Sequence, residues 1–246
     1  MSIKTPHIDT DTTTHPDAPD AIVVLQARLG STRLPGKVLA HIGTSSVLAR
    51  CVRRLQAAAV GPVIVATTDR SEDAALAMVA RDLGVDVFRG SADDVLHRYQ
   101  AATAGWTGAF VLRATADNPL VDVDGPRRVL KILRDGADYC VEHGLPVGGA
   151  VEGLRTTVLR QAAELARTPY DREHVTPYIR QRPDAFDVRV VPAPTGLQRP
   201  DLRLTIDTAE DLRFVRQLLH WACDDHPLVP LADVIAAAER RAEVPA

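Results

Sequence analysis

The sequence predicts an α/β fold in which a mostly parallel sheet is flanked by helices. Between residues 21 and 134, short apolar runs alternate with segments whose apolar residues recur at helical spacing, and this alternation is typical of such a sheet. With 246 residues, of which 46% are hydrophobic, the chain is long and apolar enough for one large domain with a substantial core. Ligands of these sheets bind at the carboxyl ends of the strands, so functional residues are expected in the loops that follow them.

The first half of the chain contains the clearest strand and helix patterns. The predicted strands are residues 21–25, 62–67, 85–88 and 109–113. The predicted helices are one that follows the capping candidates Ser45 and Ser46, one capped by Ser71 with Ala75, Met78, Val79 and Leu83 on its inner face, one over residues 93–104, and one marked by Val129, Leu130 and Leu133. This order is that of repeated strand–helix–strand units.

The pattern changes after about residue 137. Strands are predicted over residues 139–142, 186–191 and 202–206, and helices over 156–167 and 171–181, the second interrupted by Pro177. Residues 143–149 are predicted to form a flexible loop. A further core helix begins after Thr208, with Asp211 three residues on, as in a variant of the capping box. Because no internal repeat or convincing linker is present, residues 21–246 are expected to form a single domain.

Composition and charge argue against several classes of partner. A net charge of −3 gives no general attraction to nucleic acid, and an aromatic content of 4% provides few stacking surfaces for single strands. No apolar stretch is long enough to span a membrane. Residues 1–20, rich in Thr, Asp and Pro, lack the apolar core of a signal peptide and are expected to be a disordered leader. Cys51, Cys140 and Cys223 lie far apart and are odd in number, which favours a reducing compartment, the cytoplasm.

Residues 26–39 form the most informative stretch, because a cationic, glycine-containing loop follows the first apolar run. Glycine lets the backbone approach a ligand closely, and successive backbone N–H groups can form a nest for an anion. Hydroxyl and positively charged side chains accompany the glycines. The residues concerned are Gly30, Gly36, Ser31, Thr32, Arg28, Arg33 and Lys37. A loop of this composition suits a polyphosphate.

Two common phosphate loops are excluded by spacing. The Walker loop places four residues between its first glycine and its Gly-Lys pair, whereas five residues separate Gly30 from Gly36, and Val38 replaces the hydroxyl that binds magnesium. The dinucleotide fingerprint requires three glycines as G-x-G-x-x-G, but Gly30 is followed by Ser31 and Thr32. The structural alternative is an ordinary turn with solvated arginines.

Two aspartates are candidate ligands of a divalent cation. Asp117 follows the predicted strand of residues 109–113, and Asp207 ends the predicted strand of residues 202–206. If both strands run parallel to the first, both carboxylates reach the edge of the sheet that carries the loop, where two carboxylates and phosphate oxygens suffice for Mg²⁺. The structural alternatives are a turn residue for Asp117 and a helix cap for Asp207.

The loop resembles the signature of the cytidylyltransferase family, which includes the enzymes that make CMP-activated sialic acid and CMP-activated 3-deoxy-manno-octulosonate. The resemblance lies in Arg28-Leu29-Gly30-Ser31-Thr32-Arg33-Leu34-Pro35-Gly36-Lys37, and it is greatest to the branch named for spore coat polysaccharide biosynthesis protein F. Asp117-Asn118-Pro119-Leu120 resembles the family's Asp-x-Pro-Leu segment, and Asp207-Thr208-Ala209-Glu210-Asp211-Leu212 its Asp-Thr-Pro-Glu-Asp-Leu segment. Ala209 stands where proline is usual, a change that the first turn of a helix accepts. Residues 88–99, 145–152 and 172–179 resemble further motifs of the branch.

The resemblance implies a Rossmann-like nucleotide-diphospho-sugar transferase fold and a set of site residues. The residues expected to bind CTP are Gln26, Ala27, Arg28, Leu29, Gly30, Ser31, Arg33, Lys37, Thr67, Asp69 and Arg89, with Arg28, Arg33 and Lys37 as the catalytic ones. Glu152, Arg172 and His174 are expected at the acceptor, and Asp117 and Asp207 are expected to hold Mg²⁺. A polar helix face is the alternative for Arg172 and His174. A homodimer is implied as well, with about residues 137–200 as the acceptor and dimerisation region.

The leading hypothesis is Mg²⁺-dependent transfer of CMP from CTP to a sugar, a sugar acid or a small phosphate or phosphonate, with release of pyrophosphate. The preference for cytosine comes only from the resemblance, and Val147 and Ala150 depart from the usual residues of the acceptor loop, so the acceptor stays open. One alternative is a glycosyltransferase that uses a nucleotide sugar, with Asp122-Val123-Asp124 as its metal-binding pair. The other is a nucleotide-binding protein without turnover.

Overall fold

The central element of the structure is a seven-stranded sheet, accompanied by a separate two-stranded hairpin. The computed structural model describes residues 19–222 and 226–242. The strands are β1 (Ala21–Gln26), β2 (His41–Ile42), β3 (Ser45–Ser46), β4 (Val63–Thr68), β5 (Asp86–Gly90), β6 (Phe110–Thr115), β7 (Tyr139–His143), β8 (Glu152–Arg155) and β9 (Val188–Pro192). Their order in the sheet is β5-β4-β1-β6-β8-β7-β9, and β2 and β3 form the hairpin.

Most neighbouring strands are parallel, which confirms the predicted class of fold. β5, β4, β1 and β6 follow one another in parallel. β8 is antiparallel to both β6 and β7, and β9 is parallel to β7. Gln26 at the end of β1 is paired in register with Ala66 of β4 and Thr115 of β6. The loops that follow β1 and β6 therefore begin side by side.

Helices cover both faces of the sheet. They are α1 (Val47–Ala57), α2 (Ala74–Asp82), α3 (Val95–Ala102), α4 (Gly125–Arg134), α5 (Thr156–Leu165), α6 (Pro169–His174), α7 (Pro177–Arg180), α8 (Ala209–Trp221) and α9 (Leu231–Ala242). Val23 and Leu25 of β1 belong to an apolar cluster with residues of α1, α2, α4, α8 and α9. Val24 belongs to a second cluster with residues of α3, α5 and α7. Both faces are thus buried, as is usual for parallel sheets.

Side-chain caps fix the starts of four of the described helices, α1, α3, α6 and α8. The hydroxyl of Ser46 accepts a hydrogen bond from the backbone N–H of Ala49 over 3.1 Å, which confirms the predicted start of α1. Thr208 and Asp211 form the predicted capping box at α8. Asp94 caps α3, so this helix begins two residues later than the sequence predicted.

Residues 202–206 are not a strand of the sheet, and that prediction was wrong. The segment pairs instead with loops: Arg203 forms an isolated parallel bridge with Val147, and the N–H of Ile206 donates to the carbonyl of Asp117 over 2.8 Å. The edge of β6 that would have received the segment is paired with β8. The extended segment therefore places Asp207 beside the loop that follows β6.

β8 was not predicted, because its sequence Glu-Gly-Leu-Arg is short and contains no β-branched or aromatic residue. The glycine in it is required by close packing. A Cβ atom on Gly153 would lie 2.5 Å from Cγ1 of Val129 and 2.8 Å from Cδ1 of Leu133, both in α4. The strand begins with Glu152, which is opposite Arg113 of β6.

One helical prediction was wrong in detail, and another was confirmed. Met78 of α2, expected on the inner face, is 64% exposed, whereas Leu76 is buried. A 3₁₀ turn over Ser71–Asp73 precedes α2, so the residue before the first turn of α2 is Asp73 and not the predicted cap Ser71. The helix expected over residues 171–181 is interrupted at Pro177, as predicted: it is divided into α6 and α7, and Pro177 opens the second of these.

In the part of the chain that the structure describes, no helix combines the length and the apolar character needed to cross a membrane. Cys51 and Cys140 are buried free thiols, and burial raises the pKa of Cys140 to about 11. Cys223 lies outside the described residues, as do residues 1–18 of the expected leader.

The contact at Gly153 generates a testable prediction. Gly153→Ala places a methyl group against Val129 and Leu133 and should lower the free energy of unfolding by about 1–3 kcal/mol, because overpacking strains the neighbouring side chains. Gly196→Ala is the matched control, since the space around that glycine is open. Chemical denaturation measures both, and equal stability of the two variants would contradict the packing described for β8.

Candidate active site

A cleft of about 390 Å³ opens at the carboxyl ends of β1 and β6. Its walls come from the loop after β1, the residues after β6 and the segment before α8. The lining residues are Gln26, Ala27, Arg28, Gly30, Ser31, Thr32, Arg33, Lys37, Val38, Arg70, Thr115, Ala116, Asp117 and Asp207. The cationic loop and the two candidate metal ligands therefore share one space.

Backbone hydrogen bonds close the loop after β1 onto itself. The carbonyl of Leu29 accepts from the N–H of Ser31 over 2.8 Å and from the N–H of Gly36 over 3.1 Å. Gly36 has a φ of 69°, a left-handed conformation that glycine adopts without strain. A 3₁₀ turn, Lys37–Leu39, follows it and places Lys37 in a buried position.

A buried carboxylate that sequence reasoning missed holds this loop in place. Asp73, which precedes α2, accepts a hydrogen bond from the backbone N–H of Leu29 over 2.7 Å and another from the hydroxyl of Thr68 at the end of β4. The loop after β1 is thus fixed to the neighbouring strand. The signal in the sequence was only an acidic residue near a helix start, a position that such residues favour without any function.

Lys37 joins both candidate metal ligands. Its ammonium group donates to Oδ2 of Asp117 over 3.2 Å, to Oδ1 of Asp207 over 2.9 Å and to the carbonyl of Ile206 over 2.6 Å. Two carboxylate oxygens that each lie this close to one nitrogen are near enough to share a single cation. The fold thereby assembles groups that lie 80 and 170 positions along the chain from Lys37.

Asp207 is surrounded by positive charge. Besides Lys37, Nη2 of Arg33 lies 3.0 Å from its Oδ1, and Nη2 of Arg203 lies 2.6 Å from its Oδ2. Burial raises the pKa of Asp207, but the hydrogen bond and charge of Lys37, together with Arg33 and Arg203, outweigh burial and hold the pKa below its usual value of 3.8. Asp207 is therefore an ionised carboxylate at neutral pH.

Arg203 is a second side chain that sequence reasoning missed. It contacts Asp207 and also donates from Nε to Oδ1 of Asp211 over 3.1 Å, which ties the site to the capping box of α8. Its alternation with apolar neighbours in residues 202–206 is that of an outward-facing residue in a strand. Only the contact of this segment with the loop after β6 reveals its role beside Asp207.

A short chain of hydrogen bonds orients Asp117. The hydroxyl of Thr115 donates to Oδ1 of Asp117 over 2.6 Å, and the side-chain amide of Asn118 donates to that hydroxyl over 2.9 Å. The other carboxylate oxygen, Oδ2, is the one that faces Lys37. One oxygen of Asp117 is therefore held by the end of β6, and the other is directed toward the ammonium group of Lys37.

The donor set fits a divalent ion completed by water and phosphate oxygens. Within residues 19–222 and 226–242, no group of three or more His, Cys, Asp or Glu side chains is arranged to hold a metal ion. Asp117 and Asp207 would thus be a two-carboxylate site. Mg²⁺ is commonly held in this way, by one or two carboxylates and the phosphates of a substrate.

Gln26 and Ala27 reach the cleft, whereas Thr67 does not. Gln26 lines the cleft, and its Oε1 is buried with no hydrogen-bond partner in the described part of the chain. Thr67, which was expected to bind CTP, is fully buried on β4. Because Gln26 lines the cleft and Thr67 does not, Gln26 is the better placed of the two to contact a nucleotide.

Asp69 and Arg89 lie where β4 and β5 end. The backbone N–H of Asp69 donates to the carbonyl of Gly90 over 2.9 Å. Arg89 donates from Nε to the carbonyl of Thr68 over 3.1 Å and from Nη2 to the carbonyl of Arg70 over 2.7 Å. The guanidinium group of Arg89 therefore holds the β4 end in place, and neither Asp69 nor Arg89 lines the cleft.

Glu152 is the centre of a buried polar cluster at the start of β8. It accepts from Nη1 of Arg113 over 2.5 Å, from the hydroxyl of Thr176 over 2.8 Å and from the hydroxyl of Tyr139. Burial raises its pKa, but the charge of Arg113 and the hydrogen bonds from Tyr139 and Thr176 outweigh burial and hold the pKa below its usual value. Glu152 is thus a fixed, ionised group, and its oxygens are already hydrogen-bonded.

Arg172 and His174, the other residues expected at the acceptor, belong to α6. Arg172 donates from Nε to Oδ2 of Asp94 over 2.8 Å and from Nη1 to the carbonyl of Ala163 over 2.8 Å, so it joins α6 to α3 and α5. His174 is exposed, with its ring centroid 4.5 Å from that of Tyr170. Neither side chain lines the cleft, and their contact with an acceptor stays a prediction.

The aspartate pair considered for a glycosyltransferase lies at the start of α4. Asp122 is 6% exposed and contacts Nη2 of Arg128 over 2.5 Å. Asp124 contacts Arg127 over 2.9 Å. Both carboxylates are engaged by arginines of α4, and neither lines the cleft.

The sheet is mostly parallel, a cationic loop follows its first strand, and two carboxylates lie at the same edge. This arrangement is typical of α/β enzymes that transfer groups from nucleotides. The sequence profile of cytidylyltransferases matches residues 22–235. The chain belongs to the cytidylyltransferase family, as the resemblance predicted, and is a CTP-dependent nucleotidyltransferase.

Three relatives illustrate how far the similarity extends. An uncharacterized protein of Methanocaldococcus jannaschii is 38% identical over 199 residues, 80% of this chain and 82% of its own. Spore coat polysaccharide biosynthesis protein SpsF of Bacillus subtilis is 33% identical over 239 residues, 91% of this chain and 99% of its own. A cytidylyltransferase structure from Leptospira borgpetersenii superposes with a TM-score of 0.84 at 27% identity, covering 91% of this chain and 95% of that one. The similarity thus includes nearly the whole domain.

The charges around Asp207 generate a prediction about pH. Because Arg203 helps to lower the pKa of Asp207, Arg203→Gln should raise that pKa, so Asp207 becomes protonated at a higher pH as the solution is acidified. The acid limb of kcat/KM for CTP should therefore shift to higher pH. Arg213→Gln is the control, because Arg213 contacts the exposed Glu210 of the same helix. Identical pH profiles for the two variants would rule out a role of Arg203 through Asp207.

Proposed function

We propose that the protein transfers CMP from CTP to an acceptor oxygen and releases pyrophosphate, in a reaction that depends on Mg²⁺. The observation that carries this proposal is the meeting of a cationic loop and two carboxylates in one cleft, with Lys37 2.9 Å from Asp207 and 3.2 Å from Asp117. A triphosphate needs cations, and the divalent ion that accompanies it needs oxygen ligands.

The loop after β1 would bind the triphosphate. Arg28 and Arg33 are exposed at the cleft, where their guanidinium groups would contact phosphate oxygens, although Arg33 also contacts Asp207 over 3.0 Å. Ser31 offers a hydroxyl from the same loop. Arg33 and Lys37 would neutralise the charge that develops on the departing pyrophosphate, the interaction that contributes most to the rate of such transfers.

Asp117 and Asp207 would hold Mg²⁺. When bound, this ion would neutralise phosphate charge and lower the pKa of an acceptor hydroxyl. The protein's own part is to present one oxygen of each carboxylate: hydrogen bonds from Thr115 hold Asp117, and Arg203 holds Asp207. Preorganised ligands of this kind avoid a cost of reorganisation during the reaction.

The proposed reaction exchanges one phosphorus–oxygen bond for another. An acceptor oxygen attacks the α-phosphorus while the bond from that phosphorus to the bridging oxygen of the β-phosphate breaks. The electron pair of the broken bond leaves with pyrophosphate, and a hydroxyl acceptor gives its proton to solvent. Since positioning and charge stabilisation provide most of the rate, the proposal assigns no protein side chain as a base.

We place the acceptor, a sugar, a sugar acid or a small phosphate or phosphonate, beside the start of β8. Glu152 would form one wall of the acceptor site as a fixed negative group. Arg172 and His174 of α6 would contact the acceptor. The name of the Bacillus relative refers to polysaccharide biosynthesis, which favours a sugar. About residues 137–200 would serve acceptor binding and a homodimer interface within the domain of residues 21–246, in the cytoplasm.

The proposed function is tested by a pyrophosphate-release assay with each of the four nucleoside triphosphates, with and without Mg²⁺, against pooled acceptors. Mass spectrometry identifies the product. The proposal expects pyrophosphate and a CMP conjugate from CTP with Mg²⁺. Release of a nucleoside diphosphate from a nucleotide sugar would indicate a glycosyltransferase, and tight CTP binding without turnover across the acceptors would indicate a binding protein.

The proposed metal ligands give a prediction by substitution. Asp117→Asn removes a charge from the cleft and should lower kcat/KM for pyrophosphate release by about 100-fold or more, the scale for loss of one preorganised charge-stabilising group. Asp124→Asn is the control, because its carboxylate is exposed and contacts Arg127 outside the cleft. Thermal unfolding of both variants checks that they fold. An Asp117 variant as active as the control would remove this residue from the mechanism.

A further inference from the structure

We propose that Lys37 acts as an exchangeable counter-ion: it occupies the two metal-binding carboxylates until the triphosphate draws it away. A divalent ion then binds tightly only together with the nucleotide. This inference rests on the proposed function, because it concerns the order in which the ligands of that site bind. It assigns Lys37 a second task, in addition to neutralising pyrophosphate.

The ammonium group of Lys37 has all of its hydrogen bonds in use. An ammonium group has three N–H donors, and the described contacts use three acceptors, one oxygen each from Asp117, Asp207 and Ile206. In this position Lys37 has no N–H left for a phosphate. It can contact a triphosphate only if it releases at least one of these oxygens.

The carboxylate oxygens that Lys37 would release are those that a divalent ion requires. Oδ2 of Asp117 faces Lys37, while its Oδ1 accepts from Thr115. Oδ1 of Asp207 likewise faces Lys37, while its Oδ2 is held by Arg203. The cleft-facing oxygen of each carboxylate is therefore bound by the ammonium group, so Lys37 and a divalent ion compete for the same ligands.

Solvent does not easily displace Lys37 from the two carboxylates. The side chain of Lys37 is 10% exposed, and charge pairs with little exposure are weakly screened. Arg33, which contacts the same oxygen of Asp207, has a side chain that is 61% exposed. An exposed ion pair of this kind contributes little free energy to the contact. Arg33 therefore provides a control that has equal charge, contacts the same oxygen of Asp207 and is far less buried.

The experiment measures Mn²⁺ binding by electron paramagnetic resonance, without nucleotide and with saturating CTP. Lys37→Met should bind Mn²⁺ without nucleotide at least about tenfold more tightly than the wild type, within the usual range of coupling between two ligands. The increase in Mn²⁺ affinity that CTP produces should shrink by the same factor. Arg33→Gln, which removes the same charge, should change the affinity without nucleotide by less than about threefold.

A measurement on the wild type guards against a Lys37→Met variant that fails to fold. The sequence contains three lysines, Lys4, Lys37 and Lys131, so the ammonium NMR signals of ¹⁵N-lysine protein are few. CTP added in excess chelator should shift the Lys37 signal, because the phosphates alone are expected to draw the side chain away. A Lys37 signal that CTP leaves unchanged would overturn the proposal.

The outcomes separate this inference from the proposed function. If CTP binds the wild type but Lys37→Met binds Mn²⁺ no more tightly than Arg33→Gln, the counter-ion role is wrong and the proposed transfer is unaffected. If CTP does not bind the wild type with or without Mn²⁺, the proposed function fails and the inference fails with it. Tighter Mn²⁺ binding in Lys37→Met alone, with a reduced effect of CTP, establishes the exchange.

Discussion

The interaction on which the site depends is the contact of one buried ammonium group with two carboxylates from distant parts of the chain. Asp117 and Asp207 are like charges directed into the same space, and such groups repel each other strongly when partly buried. Lys37, at 3.2 Å from one and 2.9 Å from the other, makes their proximity possible. The same three charges define where a triphosphate and its cation would bind.

The fold supplies this interaction through the order of its strands. β1 and β6 are parallel neighbours whose last residues, Gln26 and Thr115, are paired in register. The loop with Lys37 and the turn with Asp117 therefore start from adjacent positions. Asp207 arrives differently, on an extended segment that hydrogen-bonds to the loop after β6 and is continued by the capped helix α8. Residues from three parts of the chain thus meet at one edge.

Sequence reasoning succeeded where the signal was local. The composition of the loop, the aspartate after β6 and the capping box at α8 each follow from a few adjacent residues, and so does the alternation of strands and helices. It failed where the residue that a side chain contacts lies far away in the sequence. The strand assigned to residues 202–206 placed Asp207 at the right edge for the wrong reason, because β8 takes the place in the sheet. Asp73 and Arg203 look like ordinary surface charges until the elements are packed.

The proposed acceptor side shows the same limit more clearly. Glu152 lies in a strand too short to carry a pattern, and its partners Arg113 and Thr176 come from separate elements. Arg172 is directed to Asp94 rather than to the cleft, a pairing between helices that no spacing in the sequence reveals. The most direct test of the central claim is a crystal structure with CTP and Mn²⁺, in which anomalous scattering locates the metal. The account predicts a Mn²⁺ ion bound by both Asp117 and Asp207 and by phosphate oxygens, with Lys37 on the triphosphate. A metal bound elsewhere, with Lys37 still between the two carboxylates, would contradict it.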